Sequence, residues 1–223
     1  MRKRKREEVN YWMSYADLMS AMLMVFALLL TLVILDYKEL LDKKEKEIKQ
    51  VVSVKTEIIK ALTEQFKESN MSIEIDQQTG AIRFPGSVLF SKDSSEISPK
   101  GKQFLNAFIP KYLDILLQPR FRNEISSIII EGHTDKQGTY IHNMRLSQDR
   151  AFSVLDYIYS KEIPPFPVKK LSQSYITANG RSFNQPLKNK KGEYDPDRSR
   201  RVEFLFRLKD DEAIKAIQEL VEE

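Results

Sequence analysis

The chain has 223 residues, enough for one soluble domain of ordinary size and an additional segment. It contains no cysteine, which excludes disulfides, thiolate metal sites and cysteine nucleophiles, and its two histidines are too few for a histidine-rich zinc site. We therefore expect neither a metal nor a cofactor. The 36 basic and 32 acidic residues leave a net charge of only +4, which argues against direct binding of nucleic acid.

The positions of glycine and proline divide the chain into two parts. All seven glycines and all nine prolines lie at or beyond Gly80, so the preceding residues contain neither of the main helix breakers. This pattern predicts a long helix followed by a folded domain. We expect a basic tail over 1–10, a transmembrane helix over 11–36, a helical stalk over 37–69, an α+β domain over 70–208 and a C-terminal helix over 209–223.

The segment Leu18–Leu35 contains 18 residues and no charge. As a helix it would span about 27 Å, close to the ~30 Å of a bilayer core, and Trp12 and Tyr37 flank it like interfacial aromatic residues. A buried core helix and a cleaved signal peptide are the alternatives. The apolar run is long for a signal peptide, and DYKELL follows it where small residues would be expected. We expect an uncleaved single-span anchor.

Charge indicates the orientation of this span. The basic cluster Arg2–Arg6 favours a cytoplasmic N-terminus, although lysines between Lys38 and Lys49 balance it on the other side. The compact tail, with no domain before it, decides for an N-terminus inside and a C-terminal domain outside.

The predicted stalk is highly charged, with apolar residues at roughly helical spacing between Leu41 and Phe66. Two interpretations remain open. One is a single solvated helix, and the other is a short parallel coiled coil that joins two copies. Lys44 and Lys55 would occupy core positions of such a coil and weaken it.

The remainder of the chain alternates strand and helix patterns, which predicts a compact α+β sandwich with helices packed on a small mixed sheet. In the helix predicted over 143–160, the side chains expected to face inward are Leu146, Val154, Leu155 and Ile158. The other predicted elements are a hairpin of SIEID (72–76) and AIRFP (81–85), a helix starting at Ser98-Pro99, a central strand ISSIIIEG (125–132), and strands SYITA (174–178) and RVEFLFRL (201–208).

Asp17 is the only charged residue between Val9 and Leu35. Placing a carboxylate in a membrane helix costs about 2.5–3.5 kcal/mol, and such residues usually serve ion or proton movement. Ser14 and Ser20 lie three residues to either side, on the same helix face, where they could assist in binding a cation. The alternative is an interfacial aspartate that reaches the headgroups.

A single helix cannot enclose a path for ions. If Asp17 moves ions, other helices must shield it from lipid. The sequence therefore predicts a membrane partner, a homodimer or both.

A second set of polar residues lies in IIIEGHTDKQGTYIHNMRLSQDRA, residues 128–151. A buried strand ends in a loop with Asp135, and a helix carrying Asn143, Leu146 and Arg150 at helical spacing follows. An acid and an arginine at the mouth of such a unit suit a zwitterionic ligand, because the arginine binds a carboxylate and the aspartate accepts from an ammonium group. The alternative is an internal Asp–Arg pair that fixes the loop.

These residues closely resemble the OmpA-like peptidoglycan-binding domain over about 82–208, through EGHTD, Asn143, LSQDRA and SRRVEFLF. The resemblance implies binding of the diaminopimelate of the peptidoglycan stem peptide. Asp135 would take the ammonium group and Arg150 the carboxylate. The resemblance implies that the other groove residues are His142, Asn143 and Leu146, with Arg200 and Arg201 as the candidates from the SRRVE stretch. Two departures from the family pattern are Ser199, where asparagine is usual, and ANGRSFNQP (178–186), which replaces a GYGE-like turn.

The N-terminal part, NYWMSYADLMSAMLMVFALLL, resembles the transmembrane helix of MotB-type stator subunits, whose aspartate binds the transported ion. The form of this helix and LSQDRA are most similar to ZorB of the Zorya anti-phage systems. This resemblance implies an inner-membrane motor driven by H⁺ or Na⁺, with a multi-span ZorA- or MotA-like partner in a pentameric ring, two copies of this chain, and a periplasmic domain on peptidoglycan. A flagellar MotB-like stator and a passive tether from membrane to wall are the alternatives, and no pattern of catalytic residues predicts an enzyme.

Overall fold

The computed structural model describes residues 11–67, 71 and 73–209. The predicted basic tail and, apart from Lys209, the predicted C-terminal helix lie outside these residues. Backbone packing divides the chain into two compact units, with the boundary between Gln50 and Val51.

The first helix, α1 (Tyr11–Lys67), confirms the expectation from the missing helix breakers. Within Leu18–Leu35 the large apolar side chains are between 50% and 78% exposed, and the most apolar 18-residue stretch has a mean hydropathy of 2.8. None of that stretch is buried inside the protein. Because so much apolar surface is unfavourable in water, this part of α1 requires lipid or other helices around it.

The last part of α1 packs on the second unit, a contact that neither interpretation of the stalk included. Val51, Ile58, Ile59, Leu62 and Phe66 are buried in the second unit, and the ring of Phe66 lies 5.2 Å from that of Phe108. In this structure the second unit includes residues from Val51 onwards, whereas the sequence placed the start of the domain at residue 70. The sequence could not show this, because one apolar stripe suits a coiled coil and the surface of a folded domain equally well.

A five-stranded mixed sheet forms the centre of the second unit, with the strand order β1-β2-β5-β3-β4. Only β3 and β4 are parallel neighbours, and the other pairs are antiparallel. The strands are β1 (Glu74–Ile75), β2 (Ile82–Pro85), β3 (Ile125–Gly132), β4 (Ile176–Gly180) and β5 (Arg201–Leu208). The helices are α2 (Gly86–Leu89), α3 (Pro99–Leu116), α4 (Tyr140–Tyr159), α5 (Lys169–Ser172) and α6 (Pro196–Ser199). The predicted α+β class is confirmed.

Several local predictions are confirmed, because their signals depend on near neighbours. The hairpin forms between β1 and β2, and the Ser98 side chain caps α3 by accepting from the backbone N–H of Gly101. The predicted strand SYITA begins two residues later, at Ile176. In α4, Val154 and Ile158 are buried as expected, but Leu146 and Leu155 are only half-buried.

The core of the second unit is aromatic. Phe84, Phe108, Tyr112 and Phe204 have ring centroids 5.1–5.9 Å apart where they touch, and all four side chains are at most 1% exposed. These rings join β2, β5 and α3. They hold together the strands whose ends carry the polar residues described below.

A substitution at Leu62 tests whether the C-terminal end of α1 is part of this core. Leu62→Ala should lower the free energy of unfolding by about 2–4 kcal/mol, since a fully buried leucine is truncated. Val52→Ala, at a half-exposed position of the same helix, should change it by less than about 0.5 kcal/mol. Urea unfolding of the full-length protein in detergent measures both, and equal small effects would contradict the assignment.

Candidate functional site

A groove of about 750 Å³ opens where β3 ends and β5 begins. It is lined by the loop after α2, by the segment that joins β3 to α4 and by the region around α6. It brings together six of the seven groove residues predicted from the sequence: Asp135, His142, Asn143, Leu146, Arg150 and Arg200.

The loop after β3 fixes the position of Asp135. The Oδ1 atom of Asp135 accepts from the backbone N–H of Gln137 at 2.9 Å, and Gly138 turns the chain with a φ of +90°. Asn143 is buried, and its Nδ2 donates to the carbonyl of Gln137 at 2.7 Å. Asn143 thus holds the loop through its backbone, and the side chain of Thr139 caps α4 behind it.

Gly132, the last residue of β3, allows α4 to approach the sheet closely. A Cβ atom at this position would lie 2.1 Å from the carbonyl oxygen of Ser147. Any other residue would therefore push α4, and with it Arg150, away from the loop. The glycine of the EGHTD sequence serves this contact.

In this structure Arg200 forms a hydrogen-bonded ion pair with Asp135. Its Nη1 donates to Asp135 Oδ2, and its Nη2 donates to Asp197 Oδ1. The hydrogen bond to Asp135 raises the pKa of the Arg200 guanidinium. The internal Asp–Arg pair considered from the sequence therefore exists, but its arginine is Arg200 and not Arg150.

Arg150 is a buried cation held by neutral groups. Its Nε donates to the carbonyl of Ser94 at 2.9 Å, and its guanidinium lies 5.3 Å from the ring of Phe90. Burial lowers the pKa of Arg150, which nevertheless remains charged at neutral pH. Among the described residues, no carboxylate forms an ion pair with it. A buried cation in this state attracts an anionic group into the groove.

Leu146 and His142 form part of the groove wall, the first half-buried and the second exposed. Arg201 lies elsewhere. It is buried, its Nε donates to Glu203 Oε1, and its Nη1 donates to the carbonyl of Gln185 at 3.1 Å. Of the two arginines left open by the sequence, Arg200 lines the groove and Arg201 does not.

The two departures from the OmpA-like pattern have structural roles. Ser199 is buried, donates to the carbonyl of Asp195 and accepts from the backbone N–H of Leu187 at 3.0 Å. Ser182, in the segment 178–186, is buried with a φ of +51°, and its backbone N–H donates to Ser147 Oγ at 2.9 Å. Both residues fasten loops that adjoin the groove.

A charge network of six residues, four of them buried, lies on three neighbouring strands and in the loops after β3 and β4. Cross-strand pairing puts Arg83, Glu203 and Glu131 side by side. Arg83 donates to Glu203 at 2.8 Å, and Arg181 donates to Glu131 at 2.8 Å. The members are Arg83, Glu131, His133, Arg181, Arg201 and Glu203.

The network contains three groups of the kind that bind metal ions. Glu131, His133 and Glu203 each offer a ligand atom, all within 4.8 Å of one another. However, Arg181 already neutralises Glu131, while Arg83 and Arg201 neutralise Glu203. A divalent cation would meet three guanidinium groups, so we interpret the network as a structural charge balance.

His133 is the least satisfied member of this network. It is 1% exposed, its Nε2 lies 3.6 Å from Glu131 Oε2, and neither ring nitrogen has a hydrogen-bond partner among the described residues. Burial lowers the pKa of His133 below its ordinary range. Burial by itself raises the pKa of Glu131, but the interactions with His133 and Arg181 outweigh it and lower that pKa to about 2.

The residues predicted to carry an ion lie on the apolar part of α1. Asp17 is exposed, and no described side chain pairs with it. The hydroxyl of Ser20 donates to the carbonyl of Ala16 at 2.7 Å, so it does not donate to Asp17. The side chain of Ser14 lies outside the described residues.

Comparisons with known proteins show the family of this chain. The OmpA family matches residues 89–200, half of the chain. A Zorya protein ZorB from Escherichia coli ATCC 8739 is 35% identical over 214 residues, which cover 90% of this chain and 89% of the relative. The chain belongs to the ZorB family. A second ZorB, from Escherichia coli O139:H28, is 25% identical and covers 94% of this chain and 87% of its own length.

Membership of the ZorB family decides between the two stator branches that the sequence resembled, in favour of ZorB. Among solved structures, the periplasmic domain of Helicobacter pylori MotB matches 68% of this chain and 98% of its own length, at 16% identity and a TM-score of 0.46.

The sequence did not predict three features of this ZorB-family groove. They are the carbonyls of Ser91 and Ser94 that hold Arg150, the contact of Arg150 with Phe90, and the bridge from Arg200 to Asp197. Backbone carbonyls of an irregular loop leave no residue pattern. A signal did exist for the charge network, since Arg201 and Glu203 alternate with apolar residues along β5.

The lowered pKa of His133 predicts how the free energy of unfolding of this ZorB-family protein depends on pH. Because folding lowers the pKa of His133, this residue takes up a proton in the unfolded chain at a higher pH than in the folded protein, once the pH falls below about 6.5. The free energy of unfolding should therefore fall between about pH 7.5 and about pH 5, and His133→Asn should reduce this slope. The exposed His142 provides the control, as His142→Asn should keep the wild-type slope. Urea unfolding at several pH values measures this, and an unchanged slope in His133→Asn would contradict it.

Proposed function

We propose that this chain is the wall-anchored subunit of an ion-driven motor in the bacterial inner membrane, acting in Zorya anti-phage defence. Its N-terminus would be cytoplasmic, α1 would cross the membrane, and the OmpA-like domain would bind peptidoglycan in the periplasm. The observation that carries the proposal is the groove, which places Asp135, Arg150 and Arg200 together on a chain of the ZorB family.

The chemistry of the groove supports a stem-peptide ligand. Diaminopimelate ends in an ammonium group and a carboxylate, the two charges that Asp135 and the arginines can bind. Leu146 supplies an apolar wall for the carbon chain between them. Asn143 and the loop it holds keep Asp135 in place before the ligand arrives, which lowers the cost of binding.

The chemistry of the membrane segment supports ion transfer. Asp17 is an ionisable residue on a helix whose apolar surface is exposed, so surrounding helices would both cover that surface and shield the carboxylate. We propose that two copies of this chain lie inside a pentameric ring of a multi-span ZorA- or MotA-like partner. Protons or sodium ions would bind Asp17 in turn, with Ser14 and Ser20 beside it, while the peptidoglycan-bound domain resists rotation. The chain would act as an anchor and not as an enzyme.

The Asp17→Asn substitution tests whether function requires an ionisable group at position 17, because asparagine has nearly the same size as aspartate but carries no charge. In cells with the complete Zorya system, Asp17→Asn should abolish protection, so that phages plate as efficiently as on cells without the system. Asp36→Asn makes the same chemical change at the end of the apolar segment and should retain protection. Immunoblots of the membrane fraction confirm equal amounts of each variant. A protective Asp17→Asn variant would reduce the proposal to a passive tether.

Wall binding is testable with purified sacculi and the full-length protein in detergent. Asp135→Ala/Arg150→Ala should reduce co-sedimentation at least about tenfold, because two charge-assisted contacts are lost. The matched control is Arg145→Ala/Asp149→Ala, which removes the same charges from exposed positions of α4 outside the groove. Equal retention of the groove variant and wild type would refute the assigned site.

A further inference from the structure

Two aromatic side chains, Tyr140 and Phe183, lie beside the groove without lining it, and we call them the aromatic platform. Tyr140 is the first residue of α4 and is 44% exposed, while Phe183 is half-buried. Their ring centroids are 5.8 Å apart, and the ring planes meet at 77°. Ile141, the next residue, is also exposed. Among the described residues of the second unit, Tyr140 and Ile141 are the only exposed large apolar side chains that are adjacent in the chain. Clustered apolar exposure of this kind indicates a contact surface.

The backbone around Ser182 fixes the aromatic platform. Ser182 precedes Phe183, is fully buried and has a φ of +51°, which residues other than glycine rarely adopt. Its hydroxyl donates to the carbonyl of Tyr140 at 3.3 Å, and its backbone N–H donates to Ser147 Oγ at 2.9 Å. Strained residues that are held by such contacts are concentrated at functional sites. The two rings are therefore positioned before a ligand arrives, which lowers the cost of binding.

The aromatic platform adjoins the groove through residues of the groove wall. The backbone N–H of Thr134, which lines the groove, donates to the carbonyl of Ser182 at 2.9 Å. His142, another lining residue, lies two residues after Tyr140 in α4. A ligand that continues out of the groove on this side meets the two rings.

The chemistry of this surface suits a sugar. Neither ring carries a charge, and the side chains of Asn184 and Gln185, which follow Phe183, are exposed. A pyranose ring has a face of C–H groups that can pack on a flat aromatic ring, and amide side chains can bond to hydroxyl and acetamido groups. The groove offers charges to its ligand, whereas the aromatic platform offers flat apolar area.

We propose that the aromatic platform is a carbohydrate-binding subsite, which takes an N-acetylated amino sugar of the peptidoglycan glycan strand. This role rests on the proposed wall-binding function, since a stem peptide in the groove is covalently joined to such a strand. Phe183 and Ser182 lie in the segment 178–186, where the chain departs from the OmpA-like turn. The subsite is therefore a property of this chain and does not follow from the family pattern.

Digestion of sacculi with an N-acetylmuramoyl-L-alanine amidase yields a separate probe for each site: peptide-free glycan strands and free stem peptides. Biolayer interferometry on glycan strands immobilised through their reducing ends, and calorimetry with the stem peptides, measure binding of the full-length protein. The detergent must have no sugar headgroup, because such a headgroup would compete with the glycan. Tyr140→Leu/Phe183→Leu keeps apolar side chains but removes both flat rings. It should bind glycan strands at least about tenfold more weakly than wild type and stem peptides equally well.

Phe152→Leu is the matched control. Phe152 is also an aromatic residue of α4, is 58% exposed and does not line the groove. This variant should keep the wild-type affinity for both probes. Tyr140→Phe/Phe183→Tyr retains two flat rings and should restore glycan binding to within about threefold of wild type.

The two probes separate failure of the subsite from failure of the wall-binding function. If wild type binds neither probe, both proposals fail. If wild type binds stem peptides but not glycan strands, or if Tyr140→Leu/Phe183→Leu binds glycan strands as wild type does, only the subsite is overturned. Equal loss of both probes in that variant would also overturn it, since the rings would then merely support the groove. Selective loss of glycan binding, with rescue by Tyr140→Phe/Phe183→Tyr, supports the subsite.

Discussion

The antiparallel pairing of β3 with β5 brings together residues that are 65 positions apart, Asp135 and Arg200. The pairing continues past the end of β3, where the backbone N–H of His133 donates to the carbonyl of Arg201 at 3.0 Å. Asp135 follows two residues later and meets the segment that leads into β5. The groove exists because this ladder fixes which residues leave the two strands at the same edge of the sheet.

The same ladder creates an electrostatic problem, because it places Glu131 opposite Glu203. Like charges directly across a sheet are destabilising, and both side chains are buried. Arg83 from β2, Arg181 after β4 and Arg201 on β5 resolve it. The network therefore ties together β2, β5, β3 and the loop after β4 by charge, on the face opposite the aromatic core.

The pleat of β5 explains why two adjacent arginines have different surroundings. Successive side chains of a strand point to opposite faces. Arg201 and Glu203 are two residues apart on β5, so both lie on the face of the sheet that carries the charge network. Arg200 precedes the strand, and its side chain enters the groove. One arginine thus stabilises the sheet, and its neighbour lines the groove. The resemblance to OmpA-like domains left these two open because motif letters do not record the face of a strand.

Much of the fold could be predicted from the sequence because the signals are local. The continuous apolar run of β3, the Ser98-Pro99 start of α3 and the hairpin of β1 and β2 each depend on a few neighbouring residues. The sequence predicted which residues line the groove but not which of them bond to one another. Which arginine bonds Asp135 depends on β-sheet register, and what holds Arg150 depends on the carbonyls of an irregular loop. The burial of Leu62 was missed for a related reason: periodicity identifies an apolar face but not its partner.

Asp17 and Asp135, the two carboxylates of the proposed function, are in opposite states. Among the described side chains, Asp17 has no partner, and it lies on a helix whose surface needs other molecules to cover it. Asp135 is already paired by a cation of its own chain. Under the proposed function, the first would be shielded only in a membrane complex, so its chemistry would belong to that assembly. The second already has a cationic partner in the free protein, so the ammonium group proposed as its ligand would share Asp135 with Arg200 or replace it.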